Sequence, residues 1–531
     1  MYDLLIKNGY IVDGSGTAPY YADVAISGNK IAAIGENLTG DCERVIDAEG
    51  MIVCPGFIDN HTHGDLNVLI DPHAKNELLQ GITTEVGGNC GISLAPIREL
   101  PDSLVAGLIT CSSEEEKAWL LQPMSFSDFM NRLEAAPMGT NLVTYIGQGI
   151  VRSAVMGYAE GPANASELEE MKQIIRDGME AGAVGLSTGL IYPTGSLTGT
   201  EELIELCKVV KEYDGNYCTH LRDEHDGIVS ALDEALRIGE ASGVRVVVSH
   251  HKITGVNNVG TSAQTLSMIE QANRAGYETF LDQYPYNAGA TTIIAALPPK
   301  YVADKNELVV NLQDPAFREK VKNDIIAGDQ GGLAASMGGA EGILISHAAA
   351  RPDYAGKTLL QIGNETGRDA YTVLFDTIIE TSGNALAVFF GISESDLVNI
   401  MQYSGTMFGT DASHATIYNA FGHPRAFGTF PRILTKYVRD DKVLSIEEMV
   451  RKASALPAYV LGLSEKGLLK VGYDADVLVL DLTNMEVLSD YTNPNGGNKG
   501  FRYVIVNGTI VVEDDVYTGA LAGKLLRVRH R

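Results

Sequence analysis

Nowhere in this chain do two cysteines stand at CxxC spacing. The six present (Cys42, Cys54, Cys90, Cys111, Cys207 and Cys218) are scattered through 531 residues, as expected of reduced cytosolic thiols with no disulfide framework. No stretch reaches the roughly 20 uninterrupted apolar residues that a membrane-spanning helix needs. The N-terminus lacks the basic start and apolar run of a secretion signal, so a cytoplasmic location is expected. Basic residues are also scarce, 40 against 68 acidic, for a formal net charge of −28. That charge repels nucleic acid and anionic membranes and leaves a small molecule as the expected partner. It does not make the substrate cationic, because one pocket can oppose the global field. No internal repeat or low-complexity tract stands out.

What is present is a large globular chain, 45% hydrophobic, long enough for one big domain with appendages or for two domains. Short apolar runs separated by turn signals open the chain, at Leu4–Ile6, Asp23–Ile26 and Lys30–Gly35, and recur at its end, at Asp476–Leu480 and Tyr503–Val512. Neither end is large enough alone. Residues 1–54 and 466–531 are therefore expected to pair into one small β-sandwich domain. Between them, apolar strand candidates at 51–61, 83–87, 142–147, 183–187, 217–221, 245–250, 279–283 and 406–411 alternate with helical stretches at 165–181, 201–212 and 228–242. Eight strands separated by helices predict an α/β chain with a (β/α)8 TIM barrel over 55–289 and 345–465. The irregular stretch 290–344, with Pro298-Pro299 and a glycine patch near Gly331-Gly332, reads as a small insertion between strands seven and eight, over the barrel mouth.

Reactive groups of such barrels sit where strands end. Strand one ends in His61-Thr62-His63, and residues two apart on a strand face the same way, so both rings can reach one metal. HxH alone is a common accident. Placed after Pro55-Gly56-Phe57-Ile58-Asp59, it points to ligands. Strand two runs into Gly87-Gly88-Asn89-Cys90-Gly91. Free cysteine is ordinarily core filler, but a thiol among glycines on a loop suits zinc once other ligands surround it. Strands five and six end in His220 and in His250-His251-Lys252. Period two puts His250 and Lys252 on one face and His251 behind them, with His225 beyond the strand. Strand eight ends in Asp411. A lone aspartate there is ordinarily a helix cap, yet beside metal ligands it is the natural general base for an activated water.

At these residues the chain resembles the amidohydrolase superfamily, and within it the N-acyl-D-amino acid deacylases (D-aminoacylases). The likeness extends from Leu5-Ile6-Lys7-Asn8-Gly9 through Gly185–Tyr192, Thr219–Glu224, Ser249–Lys252 and Asp282–Tyr286 to Gly472–Val477. Many members bridge two metals with a carboxylated lysine on strand four. This strand four, 183–188, has no lysine, and by the resemblance Cys90 takes its place. The resemblance further implies that Cys90, His220 and His250 hold one tight zinc, with His61 and His63 as a weaker second position. It implies Asp411 as general base and acid, and Lys252, Tyr192 and Tyr284 as substrate contacts, with Lys252 anchoring an α-carboxylate at the mouth. The arginines Arg351, Arg425 and Arg432 are candidates for substrate recognition that sequence does not place. A hydantoinase-like or dipeptidase chemistry is the competing expectation, and a metal-free scaffold a third.

Overall fold

The computed structural model describes residues 1–98, 109, 113–302, 305–328, 332–414 and 422–528; Cys111 and Gly331 lie outside them. The two ends of the chain form one nine-stranded sheet. Its halves meet where Ile52–Pro55 runs antiparallel to Val477–Leu480, with Val53 opposite Val479. Alternation decides the faces. Leu4, Ile6, Val24, Ile26, Val477, Val479 and Ile505 share one apolar cluster. Their neighbours Cys54, Leu478, Leu480, Val504 and Val506 point to the other side, onto Phe57 and Ile82.

The predicted strand 51–61 is broken in two. Ile52–Pro55 belongs to the terminal sheet, and the chain pivots at Gly56 into the first central strand. A side chain at Gly56 would lie 2.1 Å from the Thr83 hydroxyl, so the pivot needs glycine. The central strands are β1 (Phe57–Asp59), β2 (Ile82–Gly87), β3 (Asn141–Thr144 and Ile146–Gly147) and β4 (Gly185–Gly189). They continue with β5 (Asn216–His220), β6 (Arg245–Val248), β7 (Thr279–Gln283) and β8 (Thr406–Phe408). Each pairs in parallel with the next. Asn60 donates its N–H to Phe408 O, and Thr62 bridges Ala412, so the last strand meets the first. Ile58, Val86, Val143, Cys218, Val247 and Met407, each from a different strand, pack into one buried cluster. Helices fall between the strands, giving the α/β class expected. Helix Ala165–Glu180 shows why: Asn164 and Glu167 form a capping box, and Met171, Ile175 and Met179 bury one stripe.

The insertion is longer than 290–344. Strand Gly289–Thr292 pairs antiparallel with Leu386–Phe389, which also pairs with Leu344–His347. One apolar cluster runs from Ile293 to Phe389. The segment Ile343-Leu344-Ile345 has the apolar look of a barrel strand but closes this separate sheet, and His347 is an exposed residue on it. The loop after β6 is stitched to the insertion, with Gly255 N–H donating to Gly391 O and Val256 N–H to Ser336 O. Among the described residues no helix is long and apolar enough to cross a membrane.

Buried ion pairs brace the terminal sheet where it meets the central strands. Lys466 Nζ lies 2.6 Å from Asp476 and 3.0 Å from Asp474. Asp476 also accepts from Asn141 Nδ2, at the start of β3, and from Asn507 N–H. Lys466→Met leaves the buried Asp476 carboxylate without its cation, while Asp474 keeps Lys30 at 2.8 Å. Urea denaturation should show a loss of about 3–5 kcal/mol in unfolding free energy.

Candidate metal centre and active site

Four buried side chains converge just past the strand ends. The Cys90 sulfur lies 3.3 Å from His61 Nε2, 3.7 Å from His220 Nδ1 and 3.5 Å from His250 Nε2. A tetrahedral zinc with Zn–S about 2.3 Å and Zn–N about 2.0–2.1 Å separates sulfur from nitrogen by about 3.6 Å, so these donors fit that ion. A second group adjoins the first. Asp411 Oδ1 is 3.5 Å from His63 Nε2 and 3.7 Å from His61 Nε2. Burial pushes the Cys90 thiol well above its ordinary range and holds His63, His220 and His250 toward the neutral form. These three imidazoles are thus held in ligand form, whereas Asp282, against burial, raises the pKa of His61; a cation in the site would supply what the thiolate needs.

The turns that aim these groups are conformationally demanding. Cys90, His250 and Asp411 all have positive φ, at 54°, 34° and 51°. Buried acceptors hold them. Ser187 Oγ accepts the Gly91 N–H and fixes the cysteine turn. Asp282, at the end of β7, accepts the His250 N–H at 2.6 Å and Asn60 Nδ2 at 3.0 Å, and faces His61 Nδ1 at 3.4 Å. Asp59 accepts N–H groups from both His61 and Thr410, and the Thr410 hydroxyl, tying the HxH turn to the Asp411 turn.

Glu224 completes the arrangement behind the histidines. It lies 3.0 Å from His250 Nδ1, 3.5 Å from His220 Nε2 and 2.6 Å from Lys252 Nζ. Burial would raise its pKa, but Lys252 and the two histidines hold it well below the usual carboxylate range. A carboxylate behind a ligating imidazole fixes ring orientation and strengthens it as a donor. Lys252, expected to anchor a substrate carboxylate at the mouth, pairs with Glu224, and its ammonium lies 5.8 Å from the Tyr284 ring centre. Arg425 reaches the same ring from 5.1 Å and pairs with Asp411 Oδ2 at 2.8 Å. Against burial, Arg425 and the facing histidines keep the Asp411 carboxyl well below its ordinary pKa. Tyr192 packs edge-on to the His220 ring at 5.1 Å.

Other histidines stand apart. His251 donates its N–H to Asp282 O and meets Thr265 through Nε2. His225 is half-buried beside Asp223. Arg351 and Arg432 do not reach the centre: Arg351 pairs with Asp353 and Glu380 on the insertion, and Arg432 donates to Pro285 O. Asp59, Asp282, Glu224 and the Asp411–Arg425 pair were not singled out from sequence. For Glu224 alone there was a local signal, its place four residues after His220.

The sequence profile of the amidohydrolase family matches residues 44–296 and 392–512. The chain belongs to that family. The break in the match coincides with the insertion. Over 99% of this chain and 97% of the relative, the sequence is 33% identical to a D-aminoacylase of Alcaligenes xylosoxydans xylosoxydans. It is also 33% identical to an N-acyl-D-glutamate deacylase of that organism, over 96% and 93%. A crystal structure of N-acyl-D-glutamate deacylase from Bordetella bronchiseptica, complexed with zinc and a phosphonate mimic of the tetrahedral intermediate, superposes with TM-score 0.82. Identity there is 31%, over 99% of this chain and all of the other.

Beneath the HxH turn, Glu85 accepts from the Thr140 hydroxyl and lies 3.0 Å from His414 Nε2, whose Nδ1 meets Asp71 O at 2.8 Å. Both ring nitrogens face acceptors, so the ring is an imidazolium. Burial works against that charge, but Glu85 raises the His414 pKa to about 9. A raised folded-state pKa gives stability that is full below about pH 6.5 and lost as pH rises through about 9. Metal-free protein should therefore lose unfolding free energy between those values. His414→Gln should be less stable at pH 6.5 and show a flatter profile.

Proposed function

We propose that this protein is a zinc-dependent hydrolase that cleaves the amide bond of N-acyl-D-amino acids to a carboxylate and a free D-amino acid. The observation that carries the reading is the Cys90 sulfur facing three imidazole nitrogens at 3.3–3.7 Å. The eight parallel strands and the bond from Asn60 to Phe408 support a closed (β/α)8 barrel, and the shared apolar cluster of both sheet halves supports a small β-sandwich from the termini. Cys90, His220 and His250 would hold the tight zinc, and His61, His63 and Asp411 would line a weaker second position. Zinc held there supplies Lewis acidity, polarising the amide carbonyl and acidifying water near neutral pH.

The remaining steps fall to the chain's own groups. Asp411, kept ionised, takes a proton from the attacking water and returns it to the leaving amine nitrogen, so that the amide C–N bond breaks with atoms and charge balanced. Lys252 and Arg425, flanking Tyr284, bind the substrate α-carboxylate, and Tyr192 and Tyr284 close the walls around it. The D preference follows the relatives. The absence of a lysine from β4 counts against a hydantoinase-like bridge between two metals. The charge of −28 fits a small-molecule enzyme of the cytoplasm with no nucleic-acid partner.

Metal analysis and a panel of N-acetyl-D-amino acids, N-acetyl-L-amino acids, dipeptides and hydantoins test the reading. Stoichiometric zinc and turnover of the D-amides alone are expected. A protein without zinc, or one cleaving only hydantoins or dipeptides, would sink it. Asp411→Asn should lower kcat roughly 10³-fold while zinc content is unchanged. Lys252→Met should raise KM by more than about twofold, the weight of one partly shared charge contact.

A further inference from the structure

We propose that the site selects N-acyl-D-amino acids with uncharged side chains and turns away those of D-glutamate and D-aspartate. The inference rests on the deacylase reading above and adds the class of side chain. A substrate of this kind brings one α-carboxylate. An acidic side chain brings a second, and a carboxylate drawn out of water needs a cation or several donors to replace its hydration. Whether the site has a cation to spare decides the matter.

Substrate contacts in such a barrel come from the stretches that follow the strand ends. After β1 and β4 these stretches, 60–74 and 190–199, contain no lysine or arginine. After β2 there is Arg98, bonded to Glu170. After β3 there is Arg152, fully buried against Glu202 and spent on the carbonyls of Ala159 and Gly161. After β5 there is Arg222, doubly bonded to Glu234. After β6 there is Lys252, and after β8, Arg425 and then Arg432, which lies over the Tyr286 ring, away from the centre, and is bonded to Pro285 O. The stretch leaving β7, 284–299, has none. The insertion's own basic residues meet its own groups. Six pair with carboxylates between Asp324 and Glu380, Lys305 bonds Asn384, and Lys320 lies over Tyr301. Residues 99–108, 110–112, 303–304, 329–331 and 415–421 contain no lysine or arginine either.

Two cations therefore face the centre, and each is already matched, Lys252 to Glu224 and Arg425 to Asp411. The substrate α-carboxylate draws on both. A second carboxylate would find no further cation and would lie near two anionic side chains. The wall beside Tyr284 is neutral as well. A side chain at Gly289 would begin 3.6 Å from the Tyr284 hydroxyl, so the strand Gly289–Thr292 passes close by. It continues Ala290-Thr291-Thr292-Ile293-Ile294.

The test is kcat/KM of the zinc-loaded, full-length enzyme for N-acetyl-D-leucine, N-acetyl-D-methionine, N-acetyl-D-glutamate and N-acetyl-D-aspartate, with N-acetyl-L-leucine as control. The better neutral substrate is expected to exceed both acidic ones by at least about 100-fold, the scale on which a site lacking a polar partner discriminates. A smaller ratio, or a preference for an acidic substrate, overturns the inference and leaves the deacylase reading standing. Turnover of the L-amide alone, or of no amide, overturns both.

Discussion

The structure depends on the cost of keeping three imidazole nitrogens within about 4 Å of one sulfur and away from water. Polar groups so placed are expensive unless each has a partner. Here the partners lie behind them: Glu224 stands behind His220 and His250, and Asp282 faces His61. The front of each donor is left toward a common point. A cation there would remove the remaining penalty by binding, which joins metal affinity to the stability of the surrounding turns. Positive φ at Cys90, His250 and Asp411 belongs to the same arrangement, since each turn must bend sharply to aim inward.

The buried carboxylates divide the labour by what they accept. Asp59 takes backbone and hydroxyl donors, so its work is geometric: it registers β1 against β8. Asp282 takes one backbone N–H and one amide, registering β6 and β1 against β7. Glu224 and Glu85 instead face charged partners, Lys252 and His414, which balance them within the protein. Asp411 and Glu224 each hold a cation, Arg425 and Lys252, that the substrate carboxylate of the proposed reaction would also claim.

The candidate ligands were legible because they obey local rules. Two histidines at i and i+2 after an apolar strand, and a histidine ending each of two further strands, follow from strand periodicity. The cysteine became readable only with them. The positioning acids were not legible, because their meaning is tertiary: Asp59 is defined by Thr410, some 350 residues away, and Asp282 by His250 and Asn60. Lys252 shows the same limit. Its direction could be read, but its pairing with Glu224 depends on where the loop after β5 folds. The far end of the insertion was hidden for another reason. Ile343-Leu344-Ile345 has the composition of a barrel strand, and composition does not say which sheet a strand joins.

The pairing of Gly289–Thr292 with Leu386–Phe389 brings the entrance and exit of the insertion side by side. To the central parallel strands, about a hundred residues therefore behave like one short hairpin loop. The segment is a cassette: lineages can resize or replace it at a loop-closure cost that grows only slowly with length, without moving a metal ligand. Its seam with the loop after β6 runs through Gly255 and Val256, only a few residues beyond Lys252. Exchanging the cassette would thus reshape the substrate's surroundings while sparing the catalytic apparatus, and it gives this scaffold a place to diversify what it cleaves without relearning how.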